Sequence, residues 1–182
     1  MTDSGNEAQT RARRLRLMAF DVDGVLSDGS LFYTDEGVEI KAFNTLDGCG
    51  LKMLAQAGIT VAIITGRRAR CVELRAQNLG ITHLYQAVDD KLGQMKRLLA
   101  ELGLGADEAG YMGDDLPDLP LMRACGFSAT PQDAHALVRD HAWLVTARGG
   151  GRGAVREACD FILAAQGRLG ELIAPYLAAD GQ

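Results

Sequence analysis

Short apolar, β-branched or aromatic runs alternate with segments of helical spacing along most of this chain, and nothing else in the sequence restricts the fold as strongly. Leu15 to Val22, Ile59 to Ile64, His83 to Tyr85, Ala109 to Met112, Phe127 to Ala129 and Trp143 to Val145 read as strands. Between them, Asp47 to Ala57, Arg67 to Asn78, Asp89 to Leu102, Leu116 to Cys125, a stretch near Asp133 to Arg139 and Arg152 to Gln166 read as helices. Leu92, Met95, Leu98, Leu99 and Leu102 fall on one face of the third of these. Leu31 to Thr34 and Val38 to Phe43 flank Asp35-Glu-Gly37 as the arms of a β-hairpin.

Strands separated by helices pair in parallel, with the helices covering both faces of the sheet. The expected fold is therefore α/β, Rossmann-like and doubly wound, with a β-hairpin insertion. At 182 residues, with no repeat, linker or low-complexity block, the chain predicts one domain over 15–167 containing the hairpin at 30–43. It is flanked by a flexible N-terminal tail (1–14) and a C-terminal tail (168–182). In the C-terminal tail, Leu169, Leu172, Ile173 and Tyr176 suit either a lid over a neighbouring site or an amphipathic helix on their own subunit.

In such sheets ligands bind beyond the carboxyl ends of the strands, and there the polar signatures fall. The first strand ends in Asp21-Val-Asp23-Gly24, the second in Thr65-Gly66-Arg67, and Lys91 opens the helix after the third. The next strand ends in Gly113-Asp114-Asp115-Leu-Pro-Asp118. Carboxylates gathered from two strand ends repel one another unless a cation sits among them, and oxygen-only ligands suit a hard ion such as Mg2+. A hydroxyl and an ammonium aimed at the same place suit phosphoryl oxygens, so the set predicts phosphoryl transfer.

Each piece has a plainer reading. Asp23-Gly24 could be a turn, Thr65 a helix cap, Lys91 a solvated helix residue, and Asp114 and Asp115 caps of the following helix. A calcium loop fails because Gly24 comes too early and Val25 stands where a ligand is needed. The glycine run Gly149 to Gly153, with Ala154, superficially matches a dinucleotide fingerprint, but no second strand follows its helix and no acidic residue is placed for a ribose.

The signatures in this order resemble the haloacid dehalogenase superfamily of phosphatases, across nearly the whole chain. The resemblance implies that Asp21 is the nucleophile, that Asp23 is the general acid and base, and that Thr65 and Lys91 hold the phosphoryl group. It further implies that Asp21, Asp23 (through its carbonyl) and Asp114 bind Mg2+, with Asp115 or Asp118 in support. Only 41 residues separate Asp23 from Thr65, and 25 separate Thr65 from Lys91, so neither interval holds a cap domain. DVDGVLSDG, KAFNTLDGCGLKML, AIITGR, GITHLYQ, GDDLPDL and GGRGAVRE resemble the 3-deoxy-D-manno-octulosonate 8-phosphate phosphatase family in particular. That resemblance implies a capless, Mg2+-dependent homotetramer acting on a small sugar phosphate in lipopolysaccharide synthesis. It also implies substrate contacts at Asn44, Thr45, Leu46, Asp47, Gly48, Arg67, Arg75 and Lys91. Lys52 stands where some members carry arginine, which changes the geometry offered to a carboxylate. For Arg67 and Arg75, eight residues apart on one predicted helix, the plainer reading is a solvated face.

Three alternatives compete: a phosphatase for a nine-carbon 2-keto sugar acid 9-phosphate, a non-catalytic tetramerisation module, and a signalling receiver domain. Retention of both Asp21 and Asp23 argues against the second. The third lacks an aspartate on a middle strand. A net charge of −5 and a pI near 5.2 argue against nucleic-acid or anionic-membrane partners. Cys49, Cys71, Cys125 and Cys159 form no C-x-x-C pair, His83, His135 and His141 are isolated, and the apolar stretch after the basic N-terminal cluster is too short for a signal peptide. The expectation is a cytoplasmic protein.

Overall fold

The computed structural model describes residues 3–178. In chain order the elements are α1 (Asp3–Ala12), β1 (Leu17–Phe20), β2 (Phe32–Tyr33), β3 (Glu39–Ile40), α2 (Thr45–Gln56), β4 (Thr60–Ile64), α3 (Arg70–Leu79) and β5 (His83–Tyr85). They continue as α4 (Lys91–Leu102), β6 (Ala109–Met112), α5 (Leu119–Ala124), β7 (Phe127–Thr130), α6 (Ala136–Asp140), β8 (Leu144–Val145), α7 (Ala154–Ala165) and α8 (Leu169–Leu177). Six strands form one parallel sheet in the order β5-β4-β1-β6-β7-β8, and β2 and β3 form a separate antiparallel ribbon.

β1 takes the central position because it is apolar on both faces. All four of its residues are fully buried, as a parallel strand covered on both sides requires. Met18 and Phe20 join Val61 and Ile63 in a core with α1, α2, α3 and α7. Leu17 and Ala19 point the other way, joining Ala62, Ile64 and Tyr111 beneath α4 and α5. From β1 the chain builds outward to β4 and β5, then returns to lay β6 on the opposite side of β1. The switch point of this topology lies between β1 and β6, where the carboxyl ends open a crevice.

Two expectations change. In place of a flexible tail over 1–14, residues Asp3–Ala12 form a helix. Ala8 and Ala12 are buried in the core, Arg11 pairs with Glu7 one turn away, and the Arg11 guanidinium lies 4.0 Å over the Trp143 ring. Small alanines let that helix approach α7 closely without any apolar stripe in the sequence. Within 168–182, α8 likewise forms a helix, and Leu169, Leu172 and Ile173 pack on their own core. This is the amphipathic-helix alternative; residues 179–182 lie outside the described residues.

The glycine run serves the site's architecture. A Cβ on Gly150 would stand 1.9 Å from the Gly24 carbonyl oxygen, and the Gly151 amide donates to the Val25 carbonyl at 2.9 Å. The run is a close backbone support for the turn after Asp23.

Candidate active site

β1 delivers Asp21 to the switch point, and the chain then winds through one wide helical turn, Val22–Leu26, with Gly24 at φ +81°. Glycine is required at that position twice over. The left-handed conformation disfavours a side chain, and a Cβ there would lie 2.0 Å from Asp114 Oδ2. The turn thereby lets the carboxylate at the end of β6 approach the one at the end of β1. Asp21, Asp114 and Asp118 place one oxygen each within 4.8 Å of one another.

α4 supplies the counter-charge. Asp90 caps it, accepting from the Gly93 amide at 2.8 Å, which fixes Lys91 as its first residue. An ammonium at a helix N-terminus opposes the helix dipole, and this one is held by its partners. Its Nζ donates to Asp21 Oδ2 at 2.7 Å and to Asp118 Oδ1 at 2.6 Å. Asp118 is saturated: Oδ1 also accepts from the Tyr111 hydroxyl at 2.9 Å, and Oδ2 accepts from the amides of Asp114 and Asp115 at 3.0 and 3.2 Å. Asp115 caps the turn that follows, so of Asp115 and Asp118 it is Asp118 that joins Asp114 in the cluster.

One ammonium does not balance three carboxylates. Burial first, and then the charge of Asp118, raise the Asp21 carboxyl to about 6 despite Lys91. Burial, followed by Asp118 and Asp21, lifts Asp114 to about 8. Burial works against the Lys91 charge, but Asp21 and Asp118 outweigh it and raise its pKa. The cluster therefore attracts a further cation or protons.

A cleft of about 430 Å³ opens over this cluster, lined by Asp21, Asp23, Thr65, Arg67, Lys91, Asp114, Asp115 and Asp118, among others. Thr65, at the end of β4, is almost fully buried. Asp23 extends from the turn and is met by the hairpin. Lys41 Nζ donates to Asp23 Oδ1 and lies 2.5 Å from Glu39 Oε1, while Arg67 Nη2 reaches Glu39 Oε2 at 2.8 Å and the Tyr33 hydroxyl at 2.7 Å. Sequence reasoning missed Lys41, Glu39, Tyr33 and Tyr111. A signal for two of them was present: in Val38-Glu39-Ile40-Lys41 the charged residues alternate with the apolar ones and so share one strand face.

The other predicted substrate contacts do not line this cleft within one chain. Asn44 caps α2 through the Leu46 amide at 2.8 Å and donates to the Gly151 carbonyl at 3.3 Å. Arg75 Nη2 donates to the Asn44 carbonyl at 3.0 Å, in space that a Cβ on Gly48 would fill. Asp47 accepts from the Arg156 amide at 2.8 Å, capping α7 from outside the helix; its other oxygen is buried without a partner among the described residues. Thr45, Leu46 and Lys52 are exposed.

No family model matches the chain. The 3-deoxy-D-manno-octulosonate 8-phosphate phosphatase KdsC of Yersinia pestis is 52% identical over 159 residues, covering 87% of this chain and 85% of that protein. The crystal structure of a probable YrbI family phosphatase from Pseudomonas syringae superposes with a TM-score of 0.94 at 48% identity, covering 97% of this chain and 99% of that one. The 3-deoxy-D-manno-octulosonate 8-phosphate phosphatase of Moraxella catarrhalis, crystallised with magnesium, phosphate and KDO, superposes at 0.92 with 44% identity over 94% of this chain and 98% of that one. With about half of the aligned residues identical over most of both lengths, and with the same fold, the chain belongs to the 3-deoxy-D-manno-octulosonate 8-phosphate phosphatase family of the haloacid dehalogenase superfamily.

Proposed function

We propose that this protein hydrolyses 3-deoxy-D-manno-octulosonate 8-phosphate to the free sugar acid and inorganic phosphate, with Mg2+ as its cofactor, in lipopolysaccharide synthesis. The observation that carries the reading is the charge-imbalanced cluster of Asp21, Asp114, Asp118 and Lys91 at the β1/β6 switch point of a member of this family.

The donor set fits the metal. All three acids offer hard oxygens, and Asp114 accepts no side-chain hydrogen bond among the described residues, although burial and its neighbours penalise its charge. Asp21, Asp114 and the Asp23 carbonyl would hold Mg2+, which when bound offsets negative charge on phosphoryl oxygens. Asp21 attacks phosphorus as the bond to the sugar oxygen breaks, giving an aspartyl phosphate. Asp23 passes its proton to the departing oxygen, then takes one from the water that attacks phosphorus and frees Asp21. Lys91 and the Thr65 hydroxyl hold the phosphoryl oxygens throughout.

The hairpin supports a homotetramer. Its charged face is turned inward, with Lys41 buried, whereas Phe32, Tyr33, Val38 and Ile40 are each more than half exposed. An apolar ribbon facing water on a capless enzyme suits pairing with hairpins of other subunits, which would wall the open cleft. Asn44, Thr45, Leu46, Lys52, Arg67 and Arg75 would then recognise the sugar acid from the rim. No described helix is long and apolar enough to cross a membrane. We place the protein in the cytoplasm, without nucleic-acid or membrane partners.

Phosphate release from a panel of sugar phosphates, with Mg2+ and with a chelator, tests the reading. The eight-carbon sugar acid phosphate should be the best substrate and the chelator should stop its hydrolysis. Preference for the nine-carbon homologue, or turnover unaffected by the chelator, would overturn it.

A further inference from the structure

We infer that Lys41 is a positioning residue for Asp23, holding the acid–base carboxylate toward the leaving oxygen from the hairpin. The inference rests on the proposed role of Asp23. Asp23 sits on extended backbone (φ −74°, ψ 123°), where nothing local fixes its side chain. One group from elsewhere does. Lys41 takes Oδ1, and Arg67 Nε stands 3.8 Å from Oδ2, beyond hydrogen-bond distance. One carboxylate oxygen is therefore tethered and the other is left for proton exchange.

The tether is a costly one to build. The Lys41 side chain is 1% exposed although it stems from a two-stranded ribbon whose apolar residues face water. Burying an ammonium is unfavourable unless it is paired on all sides. Here Glu39 supplies the second partner and is itself shared with Arg67 Nη2 at 2.8 Å. If the ribbon merely needed a satisfied Glu39, Arg67 alone would provide it at the surface. The buried lysine is explained by what it reaches. Misplacing a reacting group by about 1 Å can cost about a hundredfold in rate, so a carboxylate fixed at one oxygen is worth the burial.

The discriminating measurement is kcat/KM across phosphate esters of graded leaving group, from 2,4-dinitrophenyl phosphate through phenyl phosphate to the sugar phosphate. A good leaving group departs without a proton; a poor one needs Asp23 correctly placed. Lys41→Met should lose about 10- to 100-fold on phenyl phosphate and the sugar phosphate, and less than about threefold on the dinitrophenyl ester. In an Asp23→Asn background the same substitution should add almost nothing, because both act through one group. Should Lys41→Met fail to fold, Lys41→Arg keeps the charge but moves it, and should show the same steepening to a smaller degree. Equal losses on every ester, an unchanged slope in the foldable variant, or losses that add to those of Asp23→Asn would overturn the inference. A wild type inactive on the whole panel would instead overturn the reading of the site, and this inference with it.

Discussion

Replacing Lys91 by methionine keeps most of its length and removes its charge from the centre of the acidic cluster. Asp21 then retains the Val22 amide at 2.7 Å, and Asp118 retains Tyr111 and two amides. Three carboxylate oxygens remain within 4.8 Å of one another with no cation between them. Breaking a buried pair costs about 3–5 kcal/mol, and the lower figure applies here because the carboxyls can take up protons. Asp21 and Asp114 already titrate near 6 and 8, well above their ordinary value. A carboxyl raised on folding contributes stability that is fully present below its unfolded pKa and is lost as pH rises through its folded pKa. Removing the ammonium raises both groups further, so the deficit of the variant should be small near pH 5 and largest above pH 8. About 3 kcal/mol corresponds to a melting temperature lower by about 6–12 °C for a domain of this size. Thermal melts of wild type and Lys91→Met at both pH values, without metal, give the comparison. Added Mg2+ should narrow the gap at high pH, since it supplies positive charge to the same cluster. A variant melting within about 2 °C of wild type above pH 8 would refute the argument that Lys91 balances the cluster.

Gly24→Ala should weaken Mg2+ binding by at least about tenfold, because the new methyl meets the Asp114 carboxylate in a conformation already unfavourable for a side chain; calorimetric titration of the metal checks it. Mg2+ binding at pH 7 should release about one proton, mostly from Asp114, whose carboxyl titrates near 8. Calorimetry in two buffers of different ionisation enthalpy measures that number, and no release would contradict the raised carboxyl. Asp47→Ala should cost about 1–2 kcal/mol by uncapping α7, whereas Asp47→Asn keeps the acceptor for the Arg156 amide and removes a buried charge, so its melting temperature at pH 8 should match or exceed wild type.

What the sequence disclosed followed from the strength of the local signal. β1 and residues 61–64 of β4 are unbroken apolar runs ended by Asp21 and Thr65, so strand, strand end and chemistry were read together. The residues that meet in the cleft span nearly a hundred positions, from Asp21 to Asp118, yet the α/β pattern alone brings strand ends together. Helix α1 was invisible because its contact with the core is made by Ala8 and Ala12, which carry little apolar signal amid polar neighbours. Lys41 and Glu39 were missed for the opposite reason. Their ribbon presents its apolar face to water and its charged face inward, against the usual expectation for an amphipathic strand. The choice between Asp115 and Asp118 needed the short turn at Leu116–Asp118, which carries the later aspartate back under Lys91 and Tyr111.

The central claim is that Asp21 takes the phosphoryl group from the sugar acid before water does. Hydrolysis of the phosphorothioate analogue of 3-deoxy-D-manno-octulosonate 8-phosphate, made chiral at phosphorus with two oxygen isotopes and cleaved in water carrying the third, tests it directly. Two successive in-line displacements, onto Asp21 and then onto water, predict retention of configuration in the released thiophosphate. Inversion would mean that water attacks the ester directly, and would contradict the account.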